Sequence, residues 1–243
     1  MSYILILGAK SDIAKATARE YAKNGFDIYL GARNVKELEN FANDIKLRFD
    51  RKVQLLELDI LNFADHINFY DNLSEKPFGV ICAIGFLGDQ TKSQVSFDES
   101  HQIIDTNFTG IVSLLNIVAN DFEKRKSGFI VGISSVAGDR GRKVNYTYGS
   151  SKAALSAYLS GLRSRLYSSN IHVMTVKPGF VRTKMTKDIA LPDKLTALPE
   201  EVARSIYKAQ HNNVNTLYTK SIWKWIMLII KNIPEWKFKS MNI

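Results

Sequence analysis

Tyr148 and Lys152 stand four residues apart in Tyr148-Gly149-Ser150-Ser151-Lys152, and Ser135 lies thirteen residues before the tyrosine. Four residues is one helical turn, so phenol and ammonium share a helix face. An ordinary tyrosine ionises near pH ~10 and is a poor acid or base at neutral pH. A neighbouring cation favours the phenolate, so Lys152 is expected to lower the pKa of Tyr148. Such a tyrosine can pass a proton to an oxygen that is becoming an alkoxide. The Ser135 hydroxyl can hold the same oxygen. The chemistry that wants this set is hydride transfer to or from a C–O carbon. A Tyr-x-x-x-Lys pair by itself is expected about once by chance in a chain with ten tyrosines. The surrounding elements must therefore decide whether the trio is a site.

Those elements alternate. Residues 3–7 read as a strand, followed by a helix from Ile13 to Lys23 closed by Asn24-Gly25. A strand over 27–32 leads to a helix from Val35 to Phe49. Val53–Leu58 and Gly79–Ile84 read as strands, and Ser100–Arg125 as one long helix. Phe129–Ile133 is the next strand, Tyr148–Ser168 a helix, and Ile171–Val176 a strand ending at Pro178-Gly179. Pro199-Glu200-Glu201 opens a helix, and Thr216–Thr219 is a last short strand. Apolar strands alternating with helices predict an α/β fold: a doubly wound, Rossmann-type parallel sheet of about seven strands in a single domain. Ligands of such sheets bind beyond the carboxyl ends of the strands. Residues 1–219 are expected to form that domain and 220–243 a C-terminal apolar-basic tail.

Composition bounds the rest. The 243 residues suit one large domain, with 45% hydrophobic and 23% charged residues. The single cysteine, Cys82, excludes an internal disulfide and a Cys-based zinc cluster. No metal-ligand spacing is found. The opening Met1-Ser2-Tyr3-Ile4-Leu5-Ile6-Leu7-Gly8 lacks a basic leader and reads as a first strand, so a cytoplasmic location is expected. The net charge of +9 allows nucleic acid, an anionic membrane or a phosphorylated substrate. With no zinc spacing, RNA-binding strand or helix-turn-helix, nucleic acid is not expected.

The first strand runs into Gly8-Ala9-Lys10-Ser11-Asp12-Ile13-Ala14 and then a helix. A glycine there lets the backbone approach a pyrophosphate at a helix N-terminus. The second and third glycines of that dinucleotide fingerprint are replaced by Asp12 and Ala14. Asp12 is the harder to explain, because it brings negative charge near phosphate. The second strand ends at Gly31-Ala32-Arg33-Asn34, without the acid that would bind the ribose hydroxyls of NAD. Arg33, with Lys10 nearby, suits the 2′-phosphate of NADP, so NADP(H) is expected over NAD(H). Asp59, followed by Ile60, is placed to contact the adenine, though Leu58-Asp59 reads equally as a plain strand end.

Together these residues resemble the short-chain dehydrogenase/reductase family over residues 3 to about 210. The family's active-site pattern maps onto Asn107 in Asp105-Thr106-Asn107, Ser135 in Ile133-Ser134-Ser135-Val136-Ala137-Gly138, Tyr148 and Lys152. Pro178-Gly179-Phe180-Val181-Arg182-Thr183 resembles the strand end beside the nicotinamide, where Thr183 would hold the carboxamide. By the same resemblance Lys152 would contact the nicotinamide ribose and Asn107 would position a water. The chain departs from the family in its glycine loop and at Cys82-Ala83-Ile84-Gly85, where Asn-Asn-Ala-Gly is usual. A narrower similarity joins Ala83-Ile84-Gly85-Phe86-Leu87-Gly88-Asp89, Ala137-Gly138-Asp139-Arg140-Gly141-Arg142, Asp12 and the tail with Asn232-Ile233-Pro234 to one subgroup. Its members, the decaprenylphosphoryl-2-keto-pentofuranose reductases, reduce a 2-keto pentofuranose on a polyprenyl phosphate to the arabino sugar. That resemblance implies a flavin-dependent oxidase as partner.

Two segments speak to substrate. Arg140, Arg142 and Lys143 lie between Ser135 and Tyr148, and three cations there suit a substrate phosphate. A solvated basic loop is the alternative. The tail holds all three tryptophans, Trp223, Trp225 and Trp236, and five lysines, Lys220, Lys224, Lys231, Lys237 and Lys239, against the single acid Glu235. Its apolar run is too short for the ~20 residues of a bilayer span. It suits a helix in the membrane interface or one packed on the domain or another subunit. The expectation is an NADPH-dependent reductase of a lipid-linked or phosphorylated keto-sugar, acting in the cytoplasm and peripherally at the inner face of the membrane. A soluble reductase of small ketones or acyl thioesters and a non-catalytic NADP-binding protein are the rivals. A homo-oligomer built on the helices from Ser100 and Tyr148 is a further expectation.

Overall fold

The computed structural model describes residues 2–187 and 190–241. The last two residues expected in the tail, Asn242 and Ile243, lie outside them. Strand β1 (Tyr3–Leu7) is buried at every position, as is β2 (Asp27–Ala32), because helices cover both faces of the sheet. Helix α1 (Asp12–Lys23) links them, and α2 (Glu39–Phe49) leads to β3 (Val53–Glu57). Then α3 (His66–Asp71) precedes β4 (Gly79–Cys82). Three helices follow: the short α4 (Gln90–Ser93), α5 (Phe97–Ile104) and α6 (Gly110–Arg125). Strand β5 (Phe129–Ile133), helix α7 (Tyr146–Leu166) and strand β6 (His172–Pro178) come next. A two-stranded parallel pair, β7 (Phe180–Val181) with β8 (Thr196–Ala197), stands apart from the main sheet. Helix α8 (Pro199–His211), β9 (Thr216–Thr219), α9 (Ile222–Asn232) and α10 (Glu235–Phe238) complete the chain.

The main sheet has seven parallel strands in the order β3-β2-β1-β4-β5-β6-β9. The chain winds outward from β1 in one direction and then returns to wind from β4 in the other. The crevice at the carboxyl ends of β1 and β4 is the switch point where such sheets take ligands. One face of the sheet is closed by α1, α2 and α8 through Ala14, Ala18, Tyr21, Ile45 and Ile206. The other is closed by α6 and α7 through Leu114, Val118, Leu159 and Leu162. The run Phe97–Arg125 is long and apolar enough to cross a membrane, but its α6 part is this core helix.

The single helix expected over Ser100–Arg125 is instead interrupted by a π-helical turn, Asp105–Thr109. The extra residue turns Asn107 inward, where it is fully buried. Gly110 follows because a Cβ there would lie 2.4 Å from the Ile60 carbonyl. Strand β4 stops at Cys82, two residues before the expected end, and Ala83–Asp89 crosses the mouth of the crevice as a loop. The β7–β8 pair is not legible in the sequence, since two-residue strands carry no periodicity.

Candidate active site

At the end of β1, Gly8 adopts φ +76, which only glycine takes without strain. A Cβ there would sit 2.8 Å from the Ile84 nitrogen and 2.9 Å from the Ala83 carbonyl. The first turn is thus pressed against the loop leaving β4. Ser11 caps α1, its Oγ accepting from the Ala14 amide at 3.1 Å. Asp12 finds its explanation here: its Oδ2 accepts from the Lys184 amide at 2.8 Å. The carboxylate ties the start of α1 to the segment after β7. Ile13 follows it on α1 and packs against the core while lining the cleft.

The cations expected at the ribose end behave differently from one another. Lys10 pairs with Glu37 at 2.8 Å, and that contact pulls the Glu37 pKa down. Arg33 is exposed at the rim and makes no ion pair among the described residues. Glu57, not singled out in the sequence, accepts from the Asn34 and Val35 amides at 2.6 and 3.0 Å and holds the turn that carries Arg33. No sequence pattern marks that role, because its partners lie over twenty residues away. Asp59 accepts from the Leu61 amide at 3.0 Å, and both Asp59 and Ile60 line the cleft.

The reacting end is built on β5 and the first turns of α7. Ser134 and Ser135 diverge at the strand end. Ser134 is buried, its Oγ 2.8 Å from the Lys152 carbonyl and 2.7 Å from Ser156 Oγ, so it braces α7. Ser135 Oγ accepts from the Ala137 amide at 3.1 Å and shares a hydrogen bond with Tyr148 in the cleft. Lys152 is buried, and its Nζ donates to the carbonyls of Ile133 at 3.1 Å and Ile84 at 3.4 Å. Asn107 donates to the carbonyls of Phe86 and Ile103 at 2.7 and 2.9 Å, and its Oδ1 accepts from the Phe86 amide at 2.9 Å. The side chain clamps the loop crossing the cleft. A Cβ on Gly85 would meet Lys152 Nζ at 3.4 Å and Asn107 Oδ1 at 3.5 Å, so both polar groups face that residue.

One electrostatic expectation is corrected. Burial pushes Tyr148 up to about 12, with the Ser135 hydrogen bond pulling the other way. Burial also draws Lys152 down to about 8. Lys152 does not lower the tyrosine in this arrangement. Its ammonium is turned to backbone carbonyls, with Nζ 5.8 Å from the Tyr148 ring centroid, and desolvation of the phenolate outweighs it. A pH prediction follows from Lys152. Its folded value lies below its ordinary 10.5, so between about pH 8 and 10.5 the unfolded chain holds more protons there. Stability contributed by this residue rises with pH across that window and is flat below it. Lys152→Met is expected to abolish that rise, read as the wild-type minus variant difference in urea midpoint. A difference independent of pH would contradict the assignment.

Pro178, Gly179 and Val181 line the cleft beside Ser135. Thr183, also lining it, heads the short 3-10 turn Lys184–Thr186, its amide donating to Thr186 Oγ1 at 3.1 Å. Gly179 is packed against the tail: a Cβ there would lie 2.0 Å from Trp223 Nε1. Trp223 donates to the Leu195 carbonyl at 2.9 Å and meets the Phe180 ring edge-on at 5.1 Å. Nothing local in the sequence links Trp223 to Gly179, 44 residues earlier.

The three basic residues between Ser135 and Tyr148 separate. Arg142 lines the cleft, with Nη2 3.2 Å from Met227 Sδ and Nε buried without a hydrogen-bond partner among the described residues. Burial lowers its pKa. Lys143 is exposed and outside the cleft lining. Arg140 is a correction: it turns away from the cleft to the tail. Its guanidinium donates to the carbonyls of Ile230 and Ile233, the latter at 2.6 Å, pairs with Glu235 at 2.8 Å and stacks 3.6 Å from the Phe238 centroid. The free carbonyls at the C-terminal end of α9 attract a cation more strongly than open solvent does. Its neighbour Asp139 is held by Lys177 and by the Tyr218 hydroxyl at 2.8 Å.

The resulting cleft runs from Gly8 and Arg33 to Tyr148, Arg142 and Met185, with a volume of about 1220 Å³. Small-ligand pockets span roughly 300–1,000 Å³, so there is room for a dinucleotide and a second molecule. The glycine cradle, the capped start of α1 and the rim cation fit a phosphorylated nucleotide.

The sequence profile of the short chain dehydrogenases matches residues 2–194. An uncharacterized oxidoreductase of Mycobacterium tuberculosis is 30% identical over 241 residues, covering 98% of this chain and 96% of that protein. Among solved structures, a short-chain dehydrogenase of Sphingobium yanoikuyae in complex with NADPH superposes with a TM-score of 0.83 at 22% identity, over 97% of each chain. An alcohol dehydrogenase of the archaeon Thermococcus sibiricus complexed with 5-hydroxy-NADP gives 0.79 at 21% identity, over 92% of this chain and 97% of that one.

Proposed function

The chain belongs to the short-chain dehydrogenase family, and from that membership we propose an NADPH-dependent oxidoreductase that reduces a keto group to an alcohol on a phosphorylated keto-sugar. The observation that carries the reduction is the convergence of Ser135, Tyr148 and Lys152 in one cleft beside Pro178–Thr183. When bound, the nicotinamide supplies the hydride to the carbonyl carbon. Ser135 holds the carbonyl oxygen, and Tyr148 gives that oxygen its proton, which completes the alcohol. Because its pKa is raised, Tyr148 keeps the proton until charge develops on the substrate oxygen. Lys152 holds its ammonium on the Ile133 and Ile84 carbonyls, opposite Gly85 and 5.8 Å from the Tyr148 ring centroid. A non-catalytic binder would need no such proton donor.

Arg33 supports NADPH over NADH, as a cation at the end of β2 that has no acidic partner among the described residues. Arg33→Ala is expected to raise KM for NADPH roughly tenfold, the loss of about one charge-assisted hydrogen bond, and to leave KM for NADH unchanged. Faster wild-type turnover with NADH than with NADPH would refute the preference.

The phosphorylated substrate is inferred from Arg142, the one expected phosphate ligand that lines the cleft. The motif resemblance extends this to a 2-keto pentofuranose on a polyprenyl phosphate, reduced to the arabino product and supplied by a flavin-dependent oxidase. A lipid-carried sugar requires work at a membrane surface, from the cytoplasmic side. Arg142→Ala is expected to raise KM for a phosphorylated keto-sugar by roughly 10- to 100-fold and to change that for a small neutral ketone by less than about twofold. Equal effects would favour the second reading, a soluble reductase of small ketones or acyl thioesters. That reading draws on the apolar residues Ile84, Phe86, Leu87, Val144 and Met185 that also line the cleft.

A further inference from the structure

Helix α9 is apolar on nearly its whole circumference. At 100° per residue, Trp223, Met227 and Ile230 point to one side, where they pack with Val136, Phe180 and Tyr218. Ile222, Trp225, Leu228 and Ile229 occupy the opposite side and remain exposed, Trp225 at 60% and Ile229 at 67%. Lys224 and Lys231 fall on the ridge between the two apolar sides. Trp236 on α10 adds a further exposed ring at 73%. Lys237 and Lys239 follow it, also exposed. Among the described residues none of Lys224, Lys231, Lys237 and Lys239 has an acidic partner. Glu235, the only acid in the segment, is taken by Arg140.

We propose that the outer face of α9 and α10 docks on an anionic lipid surface. Charge decides between lipid and a second copy of this chain. A two-fold contact through this patch would set lysine ridges against a partner patch with the same sign and no free acid. Anionic headgroups complement the lysines, and Trp225 and Trp236 suit the headgroup boundary. The inner face gives the docking a purpose. Met227 touches Arg142 in the cleft, and Trp223 covers Gly179. A helix seated in the interface therefore carries the cleft mouth to the headgroup layer. The purpose rests on the lipid-linked reading of the substrate; the surface does not.

The test is co-sedimentation of the full chain with phosphatidylglycerol vesicles and with phosphatidylcholine vesicles, without substrate. The chain is expected to pellet with the anionic vesicles and to be released by high salt. Lys224→Glu with Lys231→Glu, both exposed and outside the core, is expected to weaken that binding at least tenfold. Trp225→Glu with Ile229→Glu is expected to abolish it, while thermal unfolding and reduction of a soluble ketone stay at wild-type values. Failure of the wild type to bind anionic vesicles overturns the proposal, as does binding undiminished in both double variants. A dimer in light scattering that Trp225→Glu with Ile229→Glu dissociates, without vesicle binding, assigns the face to a second copy and overturns it equally. Because no substrate is present, a wrong substrate assignment leaves the vesicle result unchanged.

Discussion

Tyr148→Phe is expected to reduce kcat by roughly 10²- to 10⁴-fold, the range for loss of a positioned general acid, while the affinity for NADPH changes less than about twofold. The ring and its packing survive the substitution; only the hydroxyl that meets Ser135 is lost. The effect should fall on kcat and kcat/KM together, the signature of an interaction made in the transition state. Nucleotide titration by fluorescence and steady-state turnover with one carbonyl substrate separate the two quantities. Residual turnover above a tenth of wild type would show that another group supplies the proton. Ser134→Ala makes the contrast. Its hydroxyl braces α7 rather than the cleft, so it should cost stability before it costs kcat.

Trp223→Ala is expected to destabilise the chain by about 3–5 kcal/mol, as for other buried aromatic truncations. The indole is 4% exposed, fills the space above Gly179, and satisfies the Leu195 carbonyl. For a chain of this size, ~1 kcal/mol corresponds to roughly 2–4 °C in Tm, so a fall of about 6–20 °C is expected. Because Gly179 and Phe180 border the reacting end, the NADPH Kd should rise as well. Trp225→Ala, two residues away on the exposed side, should change Tm by less than about 2 °C. Equal losses in both variants would mean that α9 does not pack as described. Gly179→Ala tests the contact from the other side, since its Cβ has no room beneath a buried ring.

Much of the fold is local information. The five apolar residues of β1 and the run Ile28-Tyr29-Leu30-Gly31-Ala32 that follows Asp27 in β2 announce buried parallel strands, and the alternation with helices predicts the wound sheet. Tyr148 and Lys152 need only one helical turn to be placed together, and the spacing to Ser135 separates it from Ser134. The interrupted helix at Asn107 escaped, because a π-helical turn inserts one residue without altering the apolar pattern around it. Asp12 looked like a misplaced charge because its partner, the Lys184 amide, lies 172 residues away.

Local sequence sets which residue types occupy each strand end, and therefore which chemistry the crevice can hold. Three things were decided only by tertiary structure. Arg140 and Arg142 are two residues apart with the same charge, yet one stabilises the end of α9 ninety residues downstream and the other lines the cleft. The tail, read as one amphipathic segment, divides into an inner face that packs behind the cleft residues Gly179 and Arg142 and an outer face left exposed. The Tyr148 pKa moved upward instead of downward, because burial outweighs a lysine aimed elsewhere. Periodicity and spacing act over a turn or a strand, whereas burial, desolvation and the choice of a hydrogen-bond partner depend on what distant segments bring alongside.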